Sequence, residues 1–259
     1  MPILQPARLK DDAFLAAYRA LRPDLGVVAA YGKILTDEVL AVPRLGLINL
    51  HASLLPTYRG AAPVHRAVIA GETETGVTIM RVVKALDAGP MLASARRAIG
   101  PDETSEAVER DLARLGAQLL VSTVEDLAAG RAVDTPQDAS AATYAHRLTK
   151  DDSRIDWSQP ARAIHDRIRG LHPWPQASAF VNGRRIILLR SRPVPGTLAP
   201  GTVAPGTIVT AHRDRLIVAT GDGLLELLDV QPEGRRPMSA RDFLAGRPLT
   251  AGDRFTPAA

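Results

Sequence analysis

Apolar runs separated by short polar turns predict alternating strands and helices in the first half of the chain. Largely apolar segments at residues 26–31, 45–50 and 75–83 are typical of strands buried on both faces of a sheet. Residues 2–6 are also predicted as a short strand, and residues 91–99 alternate as an edge strand does. Apolar side chains recur at helical spacing from residue 104 to 129, which predicts one long helix. We therefore predict an α/β domain, whose ligands bind beyond the carboxyl ends of its strands.

From residue 151 the pattern becomes rich in short strands and predicts a second domain. The Asn182-Gly183 pair supplies two positive-φ positions and predicts a hairpin, and Ser158 is predicted to cap a short helix. Residues 132–150 are small, polar and aperiodic, which is typical of a linker. The predicted organisation is a first domain at 1–131, a linker at 132–151 and a β-barrel like an OB-fold at 152–259.

Composition excludes several classes of protein. Cysteine is absent, which excludes disulfides and thiolate metal sites and is compatible with a reducing cytoplasm. The N-terminus has no leader pattern, and no apolar run approaches roughly 18 residues. We therefore expect a cytoplasmic protein without a membrane partner. The six histidines form no His-x-x-x-His pair, so no metal site is predicted.

The net charge of +4 lies in the second part of the chain. Residues 1–150 carry 17 basic and 17 acidic side chains, whereas residues 151–259 carry 15 and 11. A basic C-terminal part suits a polyanionic partner, and a solvated surface is the alternative. Candidate phosphate ligands are the adjacent pairs Arg184, Arg185, Arg235 and Arg236.

Candidate chemistry lies where the predicted strand at 45–50 ends. Asn49 and His51 share one face of that strand because successive strand side chains point to opposite faces. An amide that donates to a developing oxyanion, beside a group that titrates near neutral pH, suits acyl-type transfer. From these two residues alone, a strand end whose polar side chains cap a turn remains the alternative.

Several motifs, in one order along the chain, resemble the folate-dependent formyltransferases. They are Asn49-x-His51, Ser-Leu-Leu-Pro at 53–56, Arg-Gly-Ala-Ala-Pro at 59–63, residues 72–80 and Leu-Asp-Ala-Gly at 86–89. Within that family, residues 59–63, Ile-Asp-Trp at 155–157 and Pro-Trp-Pro at 173–175 resemble the methionyl-tRNA formyltransferases, and the similarity runs nearly the whole length. The combination is specific, whereas any single motif is not.

The resemblance implies a reaction and a role for each candidate residue. A formyl group would pass from 10-formyltetrahydrofolate, the donor substrate, to the α-amino group of initiator methionyl-tRNA, without a metal. Asn49 would donate to the oxyanion, His51 would stabilise it and handle the proton, and Asp87 would orient His51 and relay the proton through water. The loop that contacts folate would be Ser53, Leu54, Leu55 and Pro56.

Three alternatives to this reaction stay open at the sequence level. A formyltransferase acting on an amino-sugar nucleotide shares the Asn, His and Asp residues, the Ser-Leu-Leu-Pro loop and a similar second domain. A glycinamide ribonucleotide formyltransferase fits less well, because the second domain would be unexplained. A remnant that binds folate or RNA without turnover is the alternative outside the enzymes.

The start of the chain motivates the last of these alternatives. Its first strands resemble the family's third strand onward, so at least one βαβ unit of roughly 30 residues is expected to be missing from a Rossmann-like, doubly wound domain. The family's tRNA-contacting loop in that segment would be missing too. We expect either a native start upstream of Met1 or a poorly folded, self-associating or weakly active product. A monomer is expected if the full-length fold is present.

Overall fold

A computed structural model of the protein describes residues 2–196, 202–246 and 249–257. These residues form two compact units. The first comprises the described residues up to Pro63 together with Glu74–Ala98 and Glu109–Arg147, and the second comprises Val64–Thr73, Ile99–Val108 and the described residues from Leu148 onward. Within the described ranges, no helix combines the length and the apolar character needed to cross a membrane.

The first unit is built on a mixed four-stranded sheet in the order β1-β2-β4-β5. The elements up to residue 145 are, in chain order, α1 Asp12–Ala20, β1 Gly26–Ala29, α2 Asp37–Leu40, β2 Leu47–His51, β3 Arg59–Gly60, α3 Pro63–Ile69, β4 Glu74–Arg81, β5 Met91–Ala98, α4 Ser105–Ala128 and β6 Tyr144–Ala145. Strands β1 and β2 are parallel, whereas β4 runs antiparallel to both β2 and β5. The four strands predicted from residue 26 onward are therefore confirmed. The prediction that the first of them is buried on both faces is wrong, because the residues of β1 alternate between half-buried and exposed at the edge of the sheet.

The segment at residues 2–6 was wrongly predicted as a strand, because the structure has no strand there. Strand β1 lies at the edge of the described sheet, where Val27 is 48% exposed. Helix α1 is capped at its start, since the Asp11 carboxylate accepts the backbone N–H groups of Ala13 and Phe14.

The core of the first unit leaves one face of β2 available for chemistry. Ile48 and Leu50 point to the side that packs with Ile79 of β4 and with Leu127 of α4. Because strand side chains alternate, Asn49 and His51 point to the opposite side. The burial of one face by α4 thus fixes which face of β2 carries the polar groups.

The second unit contains a curled antiparallel sheet. Its elements beyond residue 148 are a 3₁₀ turn at Lys150–Ser153, α5 Ala161–Gly170, β7 Ala177–Val181, β8 Arg184–Val194, β9 Ile208–His212, β10 Arg215–Ala219, β11 Leu224–Pro232, β12 Met238–Ser239, α6 Ala240–Gly246 and β13 Phe255–Thr256. The strand order is β13-β7-β8-β11-β10-β9, with β12 paired to β11. The two ends of this order meet, since Ile208 N–H donates to Asp253 O at 2.8 Å and Phe255 N–H donates to Gly206 O at 2.8 Å. The predicted barrel-like second domain is therefore confirmed.

Local predictions in the second unit have mixed outcomes. Asn182 and Gly183 adopt φ values of 50° and 71° between β7 and β8, which confirms the hairpin turn. The prediction that Ser158 caps α5 is wrong, because the residue before the helix is Pro160. Ser158 instead donates from both its N–H and its hydroxyl to the Asp156 carboxylate. Proline suits a helix start because the first backbone N–H groups of a helix have no intrahelical acceptor.

Candidate active site

His51 and Asp87 come together in the first unit, although 35 residues separate them in the sequence. His51 is the last residue of β2 and is 6% exposed, and Asp87 lies in the loop between β4 and β5. The His51 Nδ1 atom lies 3.7 Å from the Asp87 Oδ2 atom, and both side chains are largely shielded from water. Because β2 and β4 are antiparallel, β4 ends at Arg81 beside Ile48 rather than beside His51, so the loop after β4 turns back to bring Asp87 to the His51 ring.

The second ring nitrogen of His51 determines which tautomer is present. His51 Nε2 lies 2.9 Å from the backbone carbonyl oxygen of Tyr58. A carbonyl oxygen only accepts hydrogen bonds, so Nε2 carries a proton and donates it. In the neutral ring the proton is therefore on Nε2, and the unprotonated Nδ1 is the nitrogen that faces Asp87.

The Asp87 carboxylate is held by the backbone of β3. Its Oδ2 atom accepts the N–H of Gly60 at 2.8 Å. Within the described part of the chain, the other oxygen, Oδ1, has no protein hydrogen bond, which leaves it available to a proton or a ligand. Asp87 also adopts a φ of 47°, an uncommon value for a residue with a side chain, so its loop conformation needs support from neighbours.

Asn49 lies on the His51 side of β2 and is half-buried. Among residues 2–196, 202–246 and 249–257, no hydrogen bond engages its side-chain amide. An amide N–H that is half-buried and not engaged by protein can donate to a substrate oxyanion. The structure thus places Asn49 two residues before His51 on one strand face.

The Ser-Leu-Leu-Pro loop follows β2 and is fixed by internal hydrogen bonds. The Ser53 hydroxyl donates to Thr57 O at 2.6 Å, and the buried Thr78 hydroxyl donates to Ser53 O at 2.7 Å. Ser53 and Leu55 are buried, whereas Leu54 and Pro56 are half-buried. A ligand would therefore meet the Leu54 and Pro56 side chains, while Ser53 and Leu55 hold the loop from inside.

Gln137 belongs to none of the sequence motifs, yet its side chain touches the Asp87 loop. Its Nε2 atom donates to the backbone carbonyls of Asp87 at 2.9 Å and Gly89 at 2.7 Å. Its Oε1 atom accepts from Arg59, at 3.1 Å from Nε and 2.7 Å from a terminal guanidinium nitrogen. Gln137 thus links β3 to the Asp87 loop.

The residues after Gln137 also lie against β3. Strand β6 pairs with β3 in parallel, and the Thr143 hydroxyl accepts the N–H of Tyr58 at 2.8 Å. A 3₁₀ turn at Ala139–Ala141 begins at Asp138, and the Ser140 hydroxyl and N–H hold the pKa of the Asp138 carboxyl below its ordinary value. The small, polar stretch after residue 132, predicted as a linker, therefore contributes contacts to the site. Its aperiodic sequence gave no signal for them.

In the second unit, the two arginine pairs lie at one end of the sheet. Arg184 and Arg185 follow the turn between β7 and β8, and Arg235 and Arg236 follow the turn that ends β11. The two turns are joined, because Glu233 N–H donates to Arg185 O at 3.2 Å. Arg184, Arg235 and Arg236 are exposed and Arg185 is half-buried. The fold thus clusters charges that are about fifty residues apart in the sequence.

Among the described residues, no group of three or more His, Cys, Asp or Glu side chains is arranged to hold a metal ion.

Comparison with known proteins identifies the family. The model of the formyl transferase family matches residues 2–124, and that of the formyl transferase C-terminal domain matches residues 147–248. A methionyl-tRNA formyltransferase of Thermodesulfovibrio yellowstonii is 40% identical over 99% of this chain and 81% of the relative. One of Thermus thermophilus is 45% identical over 98% of this chain and 81% of the relative.

Solved structures share the fold at lower identity. HypX from Aquifex aeolicus, crystallised with tetrahydrofolic acid, has a TM-score of 0.66 and 18% identity over 93% of this chain and 44% of that chain. An N-formyltransferase from Helicobacter canadensis, crystallised with folinic acid and dTDP-3-aminofucose, has a TM-score of 0.63 and 17% identity over 78% of this chain and 71% of that chain. With motifs, fold and relatives in agreement, the chain belongs to the formyltransferase family, in its methionyl-tRNA formyltransferase branch.

Proposed function

We propose that the protein transfers a formyl group from 10-formyltetrahydrofolate to the α-amino group of initiator methionyl-tRNA. The observation that carries the proposal is the approach of His51 to Asp87, at 3.7 Å, next to an Asn49 amide that no described protein group engages. These are the groups that formyl transfer needs, namely an oxyanion donor, an imidazole and a proton acceptor. The relatives at 40–45% identity supply the acceptor, because they are named for methionyl-tRNA.

The reaction makes one C–N bond and breaks another. The amine nitrogen attacks the formyl carbon, an oxyanion forms, and the bond from the formyl carbon to N10 of the folate breaks. One proton must leave the amine and one must reach N10. Asn49 donates to the oxyanion from the strand face that His51 shares. His51 supports the same charge electrostatically and without a hydrogen bond of its own, because its Nε2–H donates to Tyr58 O and its Nδ1 faces Asp87.

Asp87 is the group that handles the proton in this proposal. Its Oδ2 atom is occupied by the Gly60 N–H, whereas Oδ1 has no protein partner within the described residues. Oδ1 takes the proton from the amine, through a water molecule, and the same oxygen supplies the proton to N10. His51 Nδ1 faces this carboxylate at 3.7 Å, so the carboxylate orients the ring.

The folate is held in this proposal by the loop after β2. Leu54 and Pro56 offer half-buried apolar surface, and the hydrogen bonds within the loop keep it rigid. A flat, largely apolar ligand binds with higher affinity to a surface that does not reorder on binding. No metal has a role in the proposed reaction.

The tRNA is held in this proposal by the arginine cluster of the second unit, which consists of Arg184, Arg185, Arg235 and Arg236. Three of these side chains are exposed, and the cluster joins two turns at one end of the sheet. Arginines at the end of a small barrel suit contacts with phosphates, which position a nucleic acid without reading its sequence.

The deciding experiment is a formylation assay with two acceptors. The purified chain is given 10-formyltetrahydrofolate with methionyl-tRNA in one reaction and with dTDP-3-aminofucose in the other, and the products are separated by chromatography. We expect formylmethionyl-tRNA and no formylated sugar. A formylated sugar nucleotide with unmodified methionyl-tRNA would replace this proposal with the amino-sugar alternative. Failure to formylate either acceptor would favour the remnant without turnover.

A further inference from the structure

Asp87 is held at its carboxylate and also at its backbone, and the backbone contact comes from a residue outside every recognised motif. The Gln137 amide donates both of its N–H bonds, to Asp87 O and to Gly89 O, and accepts two from Arg59. A primary amide has two N–H donors and two acceptor lone pairs, so this side chain is fully used. Full use fixes its orientation, because the oxygen must face the guanidinium and the nitrogen must face the carbonyls.

These hydrogen bonds close a ring between β3 and the Asp87 loop. The Gly60 N–H holds the Asp87 carboxylate, and Arg59, the residue before it, holds Gln137, which in turn holds the Asp87 carbonyl. Asp87 is thus fixed at two points by two consecutive residues. Arg59 is only 6% exposed, so its buried side chain holds Gln137 in a fixed position.

The Asp87 loop needs this support for two reasons. Asp87 has a φ of 47°, which is uncommon for a residue with a side chain. Gly89 is packed so closely that a Cβ atom there would lie 1.8 Å from the Arg81 carbonyl oxygen. If the Asp87 and Gly89 carbonyls lose the Gln137 donor, this strained turn is expected to shift, and the Asp87 carboxylate shifts with it.

From this ring we infer that Gln137, supported by Arg59, is the positioning residue that sets Asp87 Oδ1 for proton transfer. The inference rests on the proposed function for its catalytic consequence, and on the hydrogen-bond ring for its structural part. In this inference Gln137 acts through Asp87, since its hydrogen bonds reach Arg59, Asp87 and Gly89. Its loss therefore lowers turnover and leaves folate binding unchanged.

Gln137→Glu is the substitution that best separates the two functions of the Gln137 amide, accepting from Arg59 and donating to the Asp87 loop. A carboxylate keeps the acceptor for Arg59, so the buried guanidinium stays paired, but it cannot donate to the carbonyls of Asp87 and Gly89. Gln118→Glu makes the same chemical change on an exposed residue of α4 and serves as the matched control. The melting temperature of each variant reports whether it folds as the original chain does.

The activity test is a kinetic cycle with Asp87. We expect Gln137→Glu to lower kcat about tenfold to a hundredfold, with unchanged KM for folate and a melting temperature lowered by only a few degrees, since two carbonyls lose their donor. In the Asp87→Ala background the same change should have no further effect, because there is no carboxylate left to position. Full kcat in Gln137→Glu, or an equal further loss in that background, would overturn the inference.

A second readout does not depend on turnover. The Gly60 N–H is protected from hydrogen exchange by Asp87, whereas the neighbouring Ala61 N–H donates to Ala145 O at 3.0 Å. Gln137→Glu should speed exchange at Gly60 by on the order of tenfold and leave Ala61 unchanged. Unchanged exchange at Gly60 would show that Gln137 does not hold the Asp87 carboxylate through the hydrogen-bond ring, even if the chain has no activity. A chain that formylates no acceptor but shows faster exchange at Gly60 would refute only the proposed function.

Discussion

The Nδ1 atom of His51 lies 3.7 Å from the Oδ2 atom of Asp87, a distance that suits an ion pair and exceeds a hydrogen bond. The short contacts of both groups are with backbone, at Tyr58 O for the ring and at Gly60 N–H for the carboxylate. Residues 58–60 therefore set the spacing of the pair. Tyr58 directly precedes the Arg-Gly-Ala-Ala-Pro motif, and Gly60 is its second residue. The backbone of this motif therefore helps to position the catalytic pair.

Asp87→Ala should remove turnover while folate binding persists. The carboxylate is the proposed proton acceptor, and its removal leaves the Ser53–Pro56 loop intact. We expect kcat to fall by about a hundredfold to ten-thousandfold, the usual contribution of a general base. Steady-state kinetics with methionyl-tRNA and folate binding by calorimetry measure the two effects.

Asp87→Asn is the matched control for the Asp87→Ala result. It keeps an oxygen for the Gly60 N–H but cannot accept a proton at neutral pH, so it should be as slow as Asp87→Ala. Weakened folate binding with normal turnover at saturating folate would refute the proposed role of Asp87.

Asn49→Ala should slow the chemical step with little effect on substrate binding. Its amide is expected to donate to the oxyanion, which exists in full only at the transition state. We expect kcat to fall about a hundredfold to a thousandfold. Val28→Ala removes side-chain volume at the residue paired with Asn49 on β1 and serves as the control for packing. A change confined to KM would contradict oxyanion stabilisation.

Hydrophobic patterning predicted the strands that carry the site, because β2 and β4 are buried on both faces and show as apolar runs. It also placed Asn49 and His51 on one face, since alternation along a strand follows from backbone geometry alone. The approach of Asp87 to His51 was expected both from the resemblance and from the position of each residue after a strand end. Because β2 and β4 are antiparallel, their carboxyl ends lie at opposite edges of the sheet, so only the resemblance related the two residues for the right reason.

Gln137 could not be predicted in the same way. It lies in a polar stretch without period, and its partners are backbone carbonyls at Asp87 and Gly89, which any sequence supplies. The misplaced helix start at Ser158 has a similar cause. Ser158 is a suitable cap by residue type, but Asp156 engages its hydroxyl and the helix begins three residues later. Competition between nearby polar partners is decided by tertiary packing.

Replacing Arg184, Arg185, Arg235 and Arg236 by Ala should weaken tRNA binding and flatten its dependence on salt. Each phosphate contact releases roughly one counterion, so the slope of log affinity against log salt should fall by about three to four. Arg154→Ala combined with Arg190→Ala is the control, because Asp151 and Asp229 already neutralise those two exposed arginines. A tRNA affinity that survives the fourfold change would eliminate the arginine cluster as the binding surface.

Asp156→Asn should destabilise the protein at neutral pH and have less effect in acid. Hydrogen bonds from the Ser158 and Gln159 side chains lower the pKa of the Asp156 carboxyl below its ordinary value. A group with a lowered pKa in the folded state stabilises the fold above its unfolded pKa, near 4, and loses that effect as pH falls through the folded value. We expect a lower melting temperature by roughly 1–3 °C at pH 7 and a smaller difference at pH 3. If the difference in melting temperature between the two chains were larger at pH 3 than at pH 7, the Asp156 carboxylate would not stabilise the fold in the predicted way.

Gly221→Ala should be among the most destabilising single changes in the second unit. A Cβ atom at this position would lie 1.7 Å from the Ser158 carbonyl oxygen, which is backbone and cannot rotate away. The Gly221 N–H also donates to Trp157 O at 2.9 Å, and Trp157 is 3% exposed and packs on Phe255. Making room for one methyl group would therefore separate the turn at residue 221 from the segment that carries a buried tryptophan.

We expect Gly221→Ala to cost about 3 kcal/mol in the free energy of unfolding, measured by urea titration with tryptophan fluorescence. Gly246→Ala is the matched control, because a Cβ atom at the end of α6 would meet no atom of the described residues within 4 Å. Alanine is also the better helix former, so this change should leave stability unchanged or slightly raise it. Equal unfolding midpoints for the two variants would show that residues 157–159 and the turn at Gly221 are not in contact in solution.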